Sequence, residues 1–181
     1  MEAMQKIKCL TIEDSNFPDR LRKLSGMPKK LYYIGNLPDP KKPAAAVVGA
    51  RMCSPYGRCQ AFKYARTMAS YGVQIISGMA RGIDAEGHKG ALDTDTPTFA
   101  VLGSGVDVCY PNSNRWLYQR ILEKGGGIIS ELPPGSPPVN WAFPARNRII
   151  SGLADLVLIV EACEKSGSLI TAQWALDQGK A

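Results

Sequence analysis

At 181 residues the chain has the length of one ordinary domain, and a hydrophobic fraction of 45% excludes a disordered polymer. A net charge of +6 favours a polyanionic partner without demanding one, so the placement of the charges matters more than their sum. No apolar run is long enough to span a bilayer, and Met1 to Leu10 lacks the apolar centre of a secretory signal, which makes the cytoplasm the expected location.

Five cysteines (Cys9, Cys53, Cys59, Cys109 and Cys163) are odd in number and far apart, and His88 is the single histidine. A zinc site needs about four closely spaced soft ligands. Reduced thiols acting as small apolar residues are therefore expected, with no metal and no cofactor.

Residues 1–40 read as an N-terminal extension and linker. They hold a polar segment, then Phe17-Pro18-Asp19-Arg20-Leu21, then Leu31-Tyr32-Tyr33-Ile34 before Gly35-Asn36, a short strand and turn. Asp39-Pro40-Lys41-Lys42-Pro43 leads into the main body, residues 41–181.

Apolar runs then recur: Ala44 to Val48, Val73 to Ile76, Thr98 to Leu102, Gly127 to Ile129 and Leu156 to Val160. Stretches of helical period lie between and after them: Tyr56 to Tyr71, Asp84 to Leu92, Ser113 to Lys124 and Leu169 to Gln178. Continuous apolar strands alternating with helices predict a doubly wound, mostly parallel α/β sheet covered on both faces. Phe143 to Gly152 reads as a short extra helix, with proline near its start and glycine past its end. The chain stops at Gly179-Lys180-Ala181, where this pattern calls for another strand, so the domain is expected to be a fragment incomplete at its C-terminal end.

In a parallel sheet the C-terminal ends of the strands share one edge, and ligands bind there. The turns at that edge carry Gly49-Ala50-Arg51, then Ser77-Gly78-Met79-Ala80-Arg81-Gly82, then Gly103-Ser104-Gly105 with Arg115 beyond, and finally Lys165-Ser166-Gly167-Ser168-Leu169-Ile170-Thr171. Glycine lets backbone approach a ligand, helix N-termini offer free N–H groups to anions, and arginine grips phosphate with a planar fork. Gly49, Arg51, Ser77, Gly78, Arg81, Gly82, Arg115, Arg146, Lys165, Ser166, Gly167, Ser168 and Thr171 are therefore the candidate phosphate-binding residues, with Ser168 as the expected cap of its helix. Several such turns along one edge suit a strand better than a single nucleotide. Arg146 and Arg148, two apart on a helix, point in different directions, and one of them is expected to pair with Glu131 or Asp155. His88 is expected to be structural. Tyr110, Trp141 and Phe143 are candidate platforms for stacked bases.

Other chemistries lack their motifs. The first turn has no G-x-G-x-x-G, no Walker loop occurs, and no G-x-S-x-G presents a nucleophile.

These segments together resemble the DprA/Smf family of DNA-processing proteins. The likeness runs in order through Val48-Gly49-Ala50-Arg51, Ser77 to His88, Gly103 to Asp107 with Tyr110-Pro111, Ser130-Glu131, Phe143 to Leu153, and Glu161-Ala162 with Ser166 to Ala172. The resemblance implies an extended Rossmann-like domain that holds single-stranded DNA in a basic pocket. It also implies a part in natural transformation, protecting incoming strands and helping to load the RecA recombinase. Arg51 matches the family's DNA-binding arginine, and Arg81, Arg115, Arg146 and Lys165 match or neighbour positions lining the same pocket. No catalytic residue carries over. Family members often add an N-terminal helical domain and sometimes a C-terminal winged-helix-like domain. The resemblance also implies a homodimer, but the family uses strands after the present C-terminus for self-association and RecA contact, so the expectation does not extend to this chain by itself.

The main alternative is a nucleoside-monophosphate-cleaving enzyme of the lysine-decarboxylase-like (LOG) group, suggested by the Ser166 to Thr171 turn with Glu161 nearby. Such an enzyme needs P-G-G-x-G-T, from which this turn departs. A scaffold whose basic edge meets an acidic protein is the second alternative.

Overall fold

The computed structural model describes residues 6–164 and 166–181. Seven strands, β1 (Lys8–Thr11), β2 (Lys30–Gly35), β3 (Ala44–Val48), β4 (Gln74–Ser77), β5 (Thr98–Val101), β6 (Gly127–Ser130) and β7 (Leu156–Ile159), form one sheet in the order β1-β2-β6-β5-β4-β3-β7. The segment β6-β5-β4-β3-β7 is parallel, while β2 pairs antiparallel with both β6 and β1. The helices are α1 (Asp19–Arg22), α2 (Pro55–Ser70), α3 (Ile83–Leu92), α4 (Arg115–Glu123), α5 (Ala142–Leu153) and α6 (Gly167–Asp177).

The predicted strands and helices of the main body form with small shifts at their ends. They were legible because the central strands are buried on both faces and so read as largely apolar runs. Along β3, Ala44, Ala46 and Val48 face α5, packing with Ile149, Ile150 and Leu153. Ala45 and Val47 face the opposite layer, against Ala61, Ala65 and Ala69 of α2 and Ile83 and Ala91 of α3. This alternation follows from the two-residue period of a strand. Ala61, Ala65 and Ala69 recur every fourth residue, a stripe of small side chains that lets α2 lie close to the sheet. Leu117 and Ile121 of α4 cover β5 and β6 through Ala100 and Ile128.

The first forty residues add two strands to this same sheet, and Phe17, Leu21 and Leu31 bury in the core beneath α5. Strand β1 escapes sequence reading because an edge strand with two exposed residues carries little apolar signal. The short helix α5 differs from expectation at its end: Gly152 lies inside it. A Cβ there would stand 2.6 Å from Leu21 Cδ2, so the glycine serves the packing of α1 and does not stop the helix. Among the described residues no helix is long and apolar enough to cross a membrane.

Candidate nucleic-acid interface

Loops from four parallel strands meet at the C-terminal edge of the sheet. The loop after β3 is tied to its neighbours by backbone: Ala50 N–H donates to Glu161 O at 2.7 Å, and Ile83 N–H donates to Ala50 O at 3.2 Å. Gly82 makes that approach possible. Its φ is +76°, and a Cβ would collide with Ala50 O and lie 2.6 Å from Arg51 O. On the other side the Glu161 carboxylate accepts Ser54 N–H at 2.8 Å and Ser54 Oγ–H at 2.6 Å, which holds it below the usual carboxylate range. The carboxylate on which the enzyme alternative depends is thus engaged in capping α2.

Beneath the loops lies a buried pair of charges. Asp84 accepts Gly78 N–H at 3.1 Å, with the Ala80 and Gly49 amides also favouring its charged form. Burial pushes its pKa up; Arg146 and those amides oppose the shift. Arg146 is 5% exposed and donates to Gly78 O at 2.8 Å and to Val101 O. Burial lowers its pKa to about 10, partly offset by Asp84, and the nearby charge of Arg51 lowers it further. It keeps its charge at neutral pH.

Above this pair runs a groove made of two adjoining clefts. The first, of about 350 Å³, is lined by Gly49, Arg51, Asp84, Phe143, Arg146, Ser166, Gly167, Ser168 and Thr171. The second, of about 930 Å³, is lined by Arg51, Gly78, Arg81, Tyr110, Arg115, Phe143 and Arg146. Arg51, Phe143 and Arg146 belong to both. Phe143 is the hinge of the groove: Arg51 Cζ stands 5.3 Å and Arg146 Cζ 6.0 Å from its ring centroid, while the Tyr110 ring lies 5.4 Å away.

Among the described residues, some arginines pair with carboxylates and others do not. Arg20 pairs with Asp155 at 2.8 Å, Arg66 with Asp93 at 2.5 Å, Arg120 with Glu123 at 3.0 Å and Arg148 with Glu131 at 2.7 Å. Arg51, Arg81 and Arg115 are exposed and make no ion pair with any described residue. The Arg148–Glu131 bridge is the carboxylate pairing expected for one of the two α5 arginines.

Most of the candidate residues meet here, and three need comment. Ser77 does not face the groove: it is fully buried and its Oγ–H donates to Val47 O at 2.6 Å, a bond that fastens β4 to β3. Gly82 is likewise buried, and acts through the loop approach described above. Lys165 lies outside the described residues. The cap of α6 is also two residues earlier than expected, Ser166, whose Oγ accepts Ser168 N–H at 3.3 Å. Ser168 and Thr171, both nearly buried, line the first cleft from the opening turn of that helix. The groove also includes residues that were not among the candidates, Asp84, Asn140 and Asn147. Asn147 donates to Gly167 O at 3.2 Å and so joins α5 to the start of α6. Only Asp84 left a trace in the sequence, as an acid just after a two-glycine turn.

A mostly parallel sheet with helices on both faces, and with a groove of exposed arginines and aromatic rings at its strand ends, defines a Rossmann-like domain with a basic edge. The chain belongs to the family described as DNA recombination-mediator protein A, whose model matches residues 8–181. It is 44% identical to protein Smf of Escherichia coli over 92% of this chain and 45% of that protein, and 41% identical to DNA processing protein DprA of Streptococcus pneumoniae over 97% of this chain and 62% of that protein. The chain thus spans about half the length of the curated relatives it matches. Among solved structures, DprA from S. pneumoniae superposes with a TM-score of 0.90 at 40% identity, covering 97% of this chain and 62% of that one. A structure of DNA processing protein A from Helicobacter pylori, described for its single-stranded DNA binding mode, superposes with a TM-score of 0.85 at 32% identity, over 99% of this chain and 80% of that one. A molybdenum cofactor binding protein from Rippkaea orientalis, at 19% identity and a TM-score of 0.56 over 78% of this chain and 75% of that one, shares the fold alone.

Proposed function

We propose that this chain binds single-stranded DNA without sequence preference, through the groove at its strand ends, and catalyses no reaction on it. One observation carries the proposal: Arg51, Arg81 and Arg115 stand exposed along a single groove with no carboxylate partner among the described residues, while Arg20, Arg22, Arg66, Arg120 and Arg148 are paired. Unpaired guanidinium groups gathered at one edge repel each other, and a polyanion relieves that repulsion. Phe143 and Tyr110 supply flat faces on which any base stacks, which explains tolerance of sequence. Gly49, Gly78, Ser166, Gly167, Ser168 and Thr171 bring backbone and hydroxyl groups to phosphates along the same path, and Arg146 braces the floor. The single-stranded DNA binding described for the H. pylori relative supports the reading.

We infer the biological setting from the family resemblance: DNA processing during uptake and recombination in the cytoplasm, with the bound strand handed to the RecA recombinase and with a second copy of the chain as partner. The test is affinity for single-stranded, double-stranded and RNA oligonucleotides at two salt concentrations. With about four phosphates neutralised, log K for a single strand falls against log salt with a slope of roughly −3. An affinity indifferent to salt would refute the proposal.

A further inference from the structure

Trp116 occupies the second position of α4 and stands 50% exposed, outside the groove. Its neighbour Arg115 lines the larger cleft, so the ring continues the groove's lip onto the outer surface of the α3–α4 layer. Tryptophan carries a large apolar area, and leaving half of it in water forgoes much of the stabilisation that burial would bring. Lys89 of α3 stands over the ring, with Nζ 5.6 Å from the centroid. One turn along α4, Arg120 is exposed and, among the described residues, pairs with its helix neighbour Glu123 at 3.0 Å. Two acids here are already engaged, Glu86 by Lys89 at 2.8 Å and Glu123 by Arg120. The Arg120–Glu123 pair is exposed, so it is worth little and is easily exchanged for a phosphate, while the Lys89–Glu86 pair is partly buried and holds Lys89 over the ring. Helix α3 itself begins directly after Arg81, which lines the groove.

An exposed ring flanked by cations, continuous with a basic groove, is the combination that sequence-tolerant single-strand binders use: rings for bases and cations for phosphates. The geometry points to a second contact surface for the same strand, in which the chain leaving the groove past Arg81 and Arg115 stacks a base on Trp116 while Lys89 and Arg120 meet its phosphates. This inference rests on the reading of the groove as a single-strand site. Charge and continuity select a polyanionic strand as the occupant over an apolar partner.

The test compares oligothymidylates of about five nucleotides, which stay within the groove, and about twenty, which reach α4. Trp116→Ala should weaken binding of the longer strand about tenfold, the loss of one stacked base, while the shorter strand binds as before. Trp116→Phe, which keeps a ring, should restore most of the loss. Arg120→Gln should lower the salt slope by about one for the longer strand only. Equal affinity of Trp116→Ala and the parent chain for both lengths would overturn the inference, and so would an equal loss at both lengths, which would make Trp116 part of the groove. Arg51→Ala separates the two readings. It should weaken both lengths; if it weakens neither, the groove reading fails, whereas weakening by Arg51→Ala with no effect of Trp116→Ala removes only the outer surface.

Discussion

Gly78 separates Asp84 from Arg146 so narrowly that a Cβ on it would lie 2.7 Å from Asp84 Oδ2 and 2.8 Å from Arg146 Cζ. The absent side chain lets both charges reach the backbone of the β4 loop. Asp84 accepts the Gly78 amide at 3.1 Å, and Arg146 donates to the Gly78 carbonyl at 2.8 Å. The loop that presents Arg81 is therefore clamped from both sides.

That clamp makes Asp84→Ala severe. The change leaves the Arg146 charge buried without its compensating neighbour and strips the loop amides of their acceptor. A loss of about 3–5 kcal/mol is expected, on the scale of breaking a buried charge pair. Urea unfolding measures it. A loss below about 1 kcal/mol would mean that Asp84 is neutral in the folded chain.

Gly82→Ala tests the loop contact directly. The backbone at φ +76° is strained for any side chain, and the new methyl group meets the carbonyls of Ala50 and Arg51. The expected cost is about 1–3 kcal/mol, with a parallel fall in strand affinity as the Arg51 loop is pushed aside. Thermal unfolding with strand titration reads both. Unchanged stability would show that the loops move apart freely.

Arg51→Ala should weaken single-strand binding by about 1–3 kcal/mol and make the salt slope shallower by about one. Its ring contact with Phe143, at 5.3 Å, gives the guanidinium a fixed position, so Arg51→Lys should recover the salt slope without the full affinity. Fluorescence anisotropy at several salt concentrations distinguishes the variants.

Acid should destabilise the fold through His88. The ring is fully buried, with Nδ1 2.7 Å from Thr98 Oγ1, whose own proton goes to Ile75 O at 2.7 Å. His88 Nδ1 is therefore the donor, and the folded chain holds the neutral ring. Burial lowers its pKa from 6.5 to about 3. The unfolded chain takes up a proton below pH 6.5 and the folded chain does not until about pH 3, so stability is complete above 6.5 and is lost as pH falls through that window. The slope should reach about 1.4 kcal/mol per pH unit. His88 is the single histidine, so urea midpoints near neutrality and near pH 5 span its titration. His88→Gln should flatten the dependence. An equally steep slope in that variant would assign the effect to carboxylates.

The sequence by itself determined the alternation of strands and helices and the edge at which function collects. Runs such as Ala44 to Val48 and Gln74 to Ser77 are buried on both faces, and a strand so placed leaves a local mark in its composition. The glycine turns were legible for a similar reason, since close backbone approach excludes side chains. Partnership across the sheet was not legible. That β2 runs antiparallel beside β6, and that Phe17 and Leu21 belong to the main core, depends on contacts between residues distant in sequence. The same holds for the charges. Arg51, Arg146 and Arg148 look alike in a chain of letters, yet Arg148 is held by Glu131, Arg146 lies beneath the loops beside Asp84, and Arg51 is left facing the groove. Whether a cation is available to a ligand depends on which carboxylates stand within a few ångströms of it, and only the folded chain sets those distances.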